Sequence, residues 1–450
     1  MMASLKRLVN GLILVAGISG VRCQSSSDST DGLTVLTGTK LGASISEPAT
    51  PTGPYQTFSS TITLATTALS SALSSIDGNN TEAATSSPPA ETVTYLTGSH
   101  PTSTVSARNA STSADAPPAQ ATNTRPCNNY PELCERKYSN ITMVGCHNSP
   151  FVRPGSAAAN QQFGVVDQLN DGVRFLQAQI QWPTNDTIPH FCHTTCNLLD
   201  AGPITQWLTT VKDWVAAHPY DVVTILLGNG NYSTPDHYVK YIESTGILKY
   251  IYTPPVAPMS LDKWPTLATM ILSGQRVIMF MDYMADQKKY PWLIDQFSQM
   301  WETPFDPTNQ SFPCTVQRPP DLKAADAKKR LYLMNHNLNV EVSLLGAQVM
   351  VPAISSLNQT NNVTGYGSLG SAASNCRNDW DRAPTILNVD YYNYGGYPGS
   401  VFEVAAQMNN LTYNRPCCGT GANASSRMEV LTKGGFWSIC LAWAVLWTLA

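Results

Sequence analysis

Charge is scarce in this chain. Asp, Glu, Lys and Arg make up 13% of its 450 residues and the net charge is −4, which argues against nucleic acid binding, for which a concentrated basic face is expected. Long apolar runs are scarce too. Leu8 to Val21 is too short and too poorly flanked to span a membrane, and Phe436 to Ala450 is short for a spanning helix. No Gly-x-Gly-x-x-Gly follows the first strand-like segment, which deprives a dinucleotide-binding sheet of its main support.

What is present at the two ends speaks of export. Lys6 and Arg7, the apolar run and the polar Gln24 to Ser27 have the order of a secretory signal peptide over residues 1–23, with a signal-anchor as the weaker alternative. Residues 24–124 are rich in Ser, Thr, Ala and Pro and show no sustained period of 2 or 3.6. Such a segment buries too little apolar surface to offset the entropy of ordering it. It reads as an extended, O-glycosylated stalk or a plain disordered tail. Residues 419–450 carry the small residues Asn423, Ala424 and Ser425, a polar spacer and the apolar tail, the pattern of a GPI-attachment signal. Ser425, Gly421 and Gly419 compete with Asn423 as the attachment residue, and a tail-anchored helix is the second reading.

Eleven cysteines in an exported chain point to disulfides rather than metal sites. Cys23 and Cys440 fall in segments expected to be removed. Among the nine left, proximity favours Cys127 with Cys134 and Cys192 with Cys196, with Cys314 and Cys376 as a longer pair, although spacing alone does not prove connectivity. Cys146 is a candidate free thiol. Asn-x-Ser/Thr acceptors at Asn140, Asn185, Asn231, Asn309, Asn358, Asn362 and Asn410 predict a glycosylated surface.

Residues 125–418 hold the folded domain. Ile141–Val144, Val173–Leu176, Val222–Leu227, Val277–Met281, Leu331–Met334 and Ile386–Val389 read as buried strands. Ile204, Trp207, Leu208, Val211, Trp214 and Val215 share one helical face, with Asp200 as a cap and Pro203 near the first turn. Val401, Val404, Ala405 and Met408 form a second such stripe. Alternating strands and helices over this length predict one α/β domain, an irregular (β/α)8 TIM barrel, with an open doubly wound sheet as the alternative.

In a barrel, chemistry gathers at the carboxyl ends of the strands. The first strand ends at His147 and a short third one at His193, and later ones at Asn229, Asp282, Asn335-His336 and Asp390. Two histidines at neighbouring strand ends suit proton transfer near neutrality. The bland alternative is that His193 packs inside the Cys192–Cys196 loop and His147 braces the rim. Tyr391, Tyr392 and Tyr394 either stack on a polyol ring or pack that rim.

Several blocks in order carry a resemblance. Gly145-Cys146-His147-Asn148-Ser149-Pro150-Phe151-Val152-Arg153, Gly172 to Gln179, Cys192 to Asp200, Trp264 to Leu267, Trp301 to Asp306 and Gly367 to Gly370 resemble the fungal phospholipase C-like phosphodiesterases. These belong to the superfamily of the phosphatidylinositol-specific phospholipase C catalytic domain. The resemblance spans about Cys127 to Cys418 and implies a TIM barrel acting on a phospholipid or glycolipid headgroup. Matched residue by residue, it implies His147 as general base, His193 as general acid and, more loosely, Asp390 as the group orienting His147. Asn148, Arg153, Gln177 and Gln179 are the implied substrate-binding residues.

The departures bear on activity. Where relatives place an acid and an arginine, or acidic calcium ligands, on the second strand, this chain has Gln177 and Gln179, which cannot neutralise the charge growing on a phosphoryl group. Arg174 precedes Gln177 by an odd number of residues and so points to the opposite face, leaving Arg153 as the substitute cation. Without clustered carboxylates a Ca²⁺ or Mg²⁺ site has weak support. Zn²⁺ on His147, His193 and Asp390 ranks below metal-independent catalysis, so no cofactor is expected. The expected protein is a surface phosphodiesterase, GPI-anchored at the plasma membrane or cell wall. The alternative is a catalytically weak or inactive barrel that binds cell-wall glycans or serves a structural role.

Overall fold

In the computed structural model, residues 52–64 and 126–415 are described, apart from 153–155, 157, 185, 345–346 and 397. The signal peptide, most of the Ser/Thr-rich stalk, the GPI-attachment signal, Asn185, Cys417 and Cys418 lie outside the described residues.

Eight parallel strands form the centre: β1 (Met143–Cys146), β2 (Phe175–Gln181), β3 (Val223–Gly228), β4 (Val277–Met281), β5 (Leu293–Asp295), β6 (Met300–Glu302), β7 (Leu331–Asn335) and β8 (Ile386–Val389). Their order in the sheet is β6-β7-β8-β1-β2-β3-β4-β5, so each strand except β5 neighbours its successor and β8 closes onto β1. Met143, Phe175, Leu226, Phe280, Ile294, Met300, Leu333 and Ile386, one from each strand, join a single apolar cluster. Strands sharing one inner cluster require a sheet curled about it, which is the (β/α)8 architecture.

The barrel is open at one seam. Among the described residues β5 and β6 do not pair, and only the four-residue helix Gln296–Gln299 joins them. Its amino-terminal end is plugged by the Cys127–Cys134 loop and by helix Leu267–Leu272, whose Leu267 and Met270 enter the inner cluster.

Residues of the opposite parity face outward. Val144, Leu176, Ile225, Met279, Tyr332 and Leu387 lie in a second, larger cluster with the surrounding helices Ile204–Ala217, Leu369–Trp380 and Ser400–Met408. Arg174 is outward too, donating to Asp221 Oδ1 at 2.7 Å and lying over the Trp214 ring. The expected cap differs: Asp200 accepts from Gly202 N and pairs with His190, and Pro203 occupies the cap position. The Asp200 carboxylate is taken by a tight turn three residues before the cap position.

Among the described residues three disulfides, Cys127–Cys134, Cys192–Cys196 and Cys314–Cys376, are present, and Cys146 is free and buried. Among the described residues no helix is long and apolar enough to cross a membrane. Six predicted glycan acceptors are described: Asn140, Asn231, Asn309, Asn358 and Asn410 are exposed and Asn362 is half-buried.

Candidate active site

Strand periodicity selects the groups inside the mouth. Inward positions recur every second residue, so Met143 is followed by Gly145 and His147, Phe175 by Gln177 and Gln179, and Ile386 by Asn388 and Asp390. The lower positions are apolar and the upper ones polar. β1 and β8 pair through Val389 and Cys146, so His147 and Asp390, each one residue beyond its strand, meet above the core.

His147 Nδ1 lies 2.8 Å from Asp390 Oδ1, and both side chains are almost fully buried. With Nδ1–H donating to the carboxylate, Nε2 is the nitrogen left to accept a proton. Asn160 donates to the same Asp390 oxygen at 3.0 Å, and Gln161 donates to His147 O at 2.8 Å and Val389 O at 3.0 Å. Burial works against a charged His147, but Asp390, through its charge and its hydrogen bond, with Asp306 and Glu302 further out, outweighs it and raises the pKa above the ordinary 6.5.

His193 reaches the mouth by a different route from the one its sequence position suggests. Its strand, His190–His193, is antiparallel to the end of β2 and continues into a hairpin with Leu199–Pro203. The link after Gln181 is too short for a crossover helix, so the chain folds straight back. His193 Nδ1 lies 3.1 Å from Thr194 Oγ1, and the ring packs edge-on against Phe151. Burial, and then the charge of His147, push its pKa down to about 4.

His147 and His193 line one cleft of about 350 Å³ together with Asn148, Gln179, Phe305 and Asp306. Gln179 folds over Gly228, where a Cβ would stand 2.4 Å from its Oε1, so only glycine leaves this side chain its place. Asn148 has φ 49° and a buried Oδ1 with no hydrogen-bond partner. Gln177 sits lower: its Oε1 accepts from Asn388 Nδ2 at 2.9 Å, which binds it into the floor rather than the wall. Arg153 lies outside the described residues, and the described lining contains no Lys or Arg. Tyr391 and Tyr392 are fully buried and bonded to Ala159 O and Asp171, which makes them rim packing.

His336 turns from the cleft. Its Nε2 lies 3.0 Å from Thr360 O, and burial drives its pKa to about 3. Among the described residues no three His, Cys, Asp or Glu side chains are placed to hold a metal ion.

Several groups at the mouth had no assigned role in the sequence. Asp306, half-buried on the cleft wall, has its carboxyl pKa raised by burial against the opposing charges of His147 and Arg318. Beneath it lies a buried ion pair, Arg318 with Glu302 at 2.5 Å, and Glu302 also accepts from Asn335 at 3.2 Å. Arg318 lies over the Phe305 ring. The block Trp301 to Asp306 was visible as a resemblance, but nothing in it indicated that Arg318, on the following loop, would fold back onto Glu302.

A family model described as PI-PLC X 1 matches residues 133–409. An Arthroderma benhamiae protein named "Uncharacterized secreted protein" is 45% identical over 426 residues, 92% of each chain. A second protein of that organism, "PI-PLC X domain-containing protein 1", is 37% identical over 286 residues, 63% of this chain and 90% of its own. Among solved structures, the phosphatidylinositol-specific phospholipase C of Listeria monocytogenes has 14% identity and a TM-score of 0.41, covering 64% of this chain and 97% of that one. With the X-domain model spanning most of the chain and sequence kinship to an X-domain protein over the folded region, this chain belongs to the PI-PLC X domain family.

Proposed function

We propose that the protein is a phospholipase C-like phosphodiesterase acting on a phospholipid or glycolipid headgroup without a metal. The observation that carries this reading is the Asp390–His147 pair facing the same cleft as His193. In the proposed step, His147 Nε2 accepts the proton of a hydroxyl adjacent to the phosphate. The resulting oxygen attacks phosphorus, the bond to the glyceride oxygen breaks, and protonated His193 gives that oxygen its proton. A cyclic phosphate and a neutral diglyceride leave, and the proton count closes with the histidines exchanged in charge. Asn148 and Gln179 line the place where the phosphoryl oxygens would lie, and Arg153 on the first loop is the proposed cation. Gln177 sits on the floor below them, held by Asn388. The secreted relative and the amino-terminal segment support an extracellular location. A GPI anchor would hold the barrel beside the outer leaflet.

The test is incubation of the secreted chain with vesicles of phosphatidylinositol or glycosylated phosphatidylinositol, following phosphorylated headgroup by phosphorus NMR. Release by wild type and its loss in His147→Ala and His193→Ala support the mechanism. Release that survives both substitutions excludes it.

A second reading, a barrel that binds such headgroups or wall glycans without turning them over, is favoured by one feature. His193 has a pKa of about 4 and a hydroxyl, not a carboxylate, as its ring partner. Saturable headgroup or glycan binding with no product over extended incubation would select it.

A further inference from the structure

Residues 52–64 come from the Ser/Thr-rich region, yet they lie on the barrel as a strap. Ile62 and Thr63 pair antiparallel with Ala257 and Val256, Leu64 N donates to Pro255 O at 2.9 Å, and Leu64 is buried. At the other end, Tyr232 OH donates to Thr52 O at 2.9 Å and Gln56 donates to Ala285 O. Between them Tyr55 packs into the barrel wall at one point.

That point is the seam. Phe297 sits on the short helix joining β5 to β6, and Tyr55 packs edge-on against it with centroids 4.9 Å apart. Tyr55 also packs against Tyr283, just beyond β4, at 5.5 Å, and their hydroxyls are 3.3 Å apart. The fit leaves no spare space: a Cβ on Gly53 would stand 2.0 Å from the Tyr283 ring. Tyr283 and Phe297 in turn both touch Arg318, the first at 3.5 Å from its Nη1 and the second with its ring 5.3 Å from the guanidinium carbon. Arg318 holds Glu302, and Glu302 is among the charges that raise the His147 pKa. A continuous set of contacts therefore runs from the strap to the floor of the cleft.

We propose that residues 52–64 are a working wall of the folded domain. The strap stoppers the seam between β5 and β6, and through Tyr283 and Phe297 it holds Arg318 on Glu302, making Tyr55 a positioning residue for the Glu302 carboxylate. Only the turnover arm of the test below rests on the phosphodiesterase reading. An edge-on aromatic pair and a buried ion pair are both sensitive to displacement of their neighbours, because close-packed interiors transmit small shifts. Among the described residues β5 and β6 share no strand hydrogen bonds, and the short helix spans the seam, with Gln296 donating to Glu302 and Arg330 donating to Phe297 O.

The experiment compares the full secreted chain as wild type, Tyr55→Phe, Tyr55→Ala and Gly53→Val. Gly53→Val alters no barrel residue, and amide exchange in β1 to β3 serves as the internal control for folding. In Tyr55→Ala and Gly53→Val, exchange over residues 296–302 rises towards the rate of an opened segment. The His147 imidazole, followed by NMR titration, moves to higher pH, because Glu302 released from Arg318 adds negative potential. Tyr55→Phe keeps the ring and stays near wild type in both. In headgroup release, kcat falls by about 10- to 100-fold with KM little changed, the scale of a small misplacement of a catalytic group. Unchanged exchange at 296–302 in Tyr55→Ala and Gly53→Val overturns the strap. Faster exchange with an unmoved His147 titration overturns the positioning role. A wild type that releases no headgroup refutes the phosphodiesterase reading, while exchange and titration still decide the strap.

Discussion

His147 and His193 line one cleft in opposite electrostatic settings. Asp390 accepts from His147 and helps raise its proton affinity, whereas burial and the charge of His147 lower that of His193 to about 4. For attack at phosphorus the needed form has His147 neutral and His193 protonated, the reverse of the order in which the free groups hold protons. A bound phosphate anion favours charge on His193 and brings the two closer to that form.

The pH dependence of kcat/KM carries this arrangement. A raised His147 and a His193 lowered to about 4 mean that the free protein holds its protons mostly in the order opposite to the productive one. The predicted profile is a bell with its acid limb breaking near pH 4 and its alkaline limb above 6.5. The profile of kcat, which reports the bound complex, has its acid limb at higher pH. An acid limb near 6.5 in kcat/KM would contradict a depressed His193.

Asp390→Asn keeps the shape of the side chain but removes the charge that supports His147. The predicted loss in kcat/KM is about 10²- to 10⁴-fold, with the His147 titration moving to lower pH in the same variant. Equal activity in Asp390→Asn and wild type would show that His147 works without its carboxylate.

Arg318 and Glu302 expose 5% and 1% of their side chains. Breaking a buried pair strands a charge, so Arg318→Met is predicted to cost about 3–5 kcal/mol in denaturant unfolding. Adding Glu302→Gln to that variant removes the stranded carboxylate and is predicted to recover part of the loss. A double variant no more stable than Arg318→Met would count against this account.

The Cys314–Cys376 disulfide closes a loop of 62 residues. Replacing both by Ser is predicted to destabilise the domain by about 4 kcal/mol through the freed unfolded chain. Unfolding of the two forms under the same oxidising conditions measures it.

Asn231 is an exposed glycan acceptor that also lines the cleft. A glycan there would narrow access, so Asn231→Gln is predicted to lower KM for vesicle substrate several-fold and leave kcat nearly unchanged. Unaltered KM alongside confirmed occupancy of Asn231 would dismiss the effect.

Apolar runs and 3.6-residue stripes are local properties, so the alternation of strands and helices was legible in the chain. It placed six of the eight barrel strands, within two residues at their starts, and the extents of Val277–Met281 and Ile386–Val389 coincide with the structure. Local spacing also favoured the Cys127–Cys134 and Cys192–Cys196 disulfides and the outward turn of Arg174, while Cys314–Cys376, 62 residues apart, was the longer candidate pair. The two strands it missed, β5 and β6, are three residues each, too short for a period to register.

The remaining features depend on residues far apart in the chain and emerge only with the fold. His147 and Asp390 are 243 positions apart and meet because β8 closes beside β1. The depressed pKa of His193 arises from burial in a hairpin that folds back on β2, and its identity alone carries no such information. Composition marked residues 52–64 as part of an unstructured stretch, and composition averages over neighbours. What docks them is the shape of one seam, where Gly53 and Tyr55 fit against Tyr283 and Phe297.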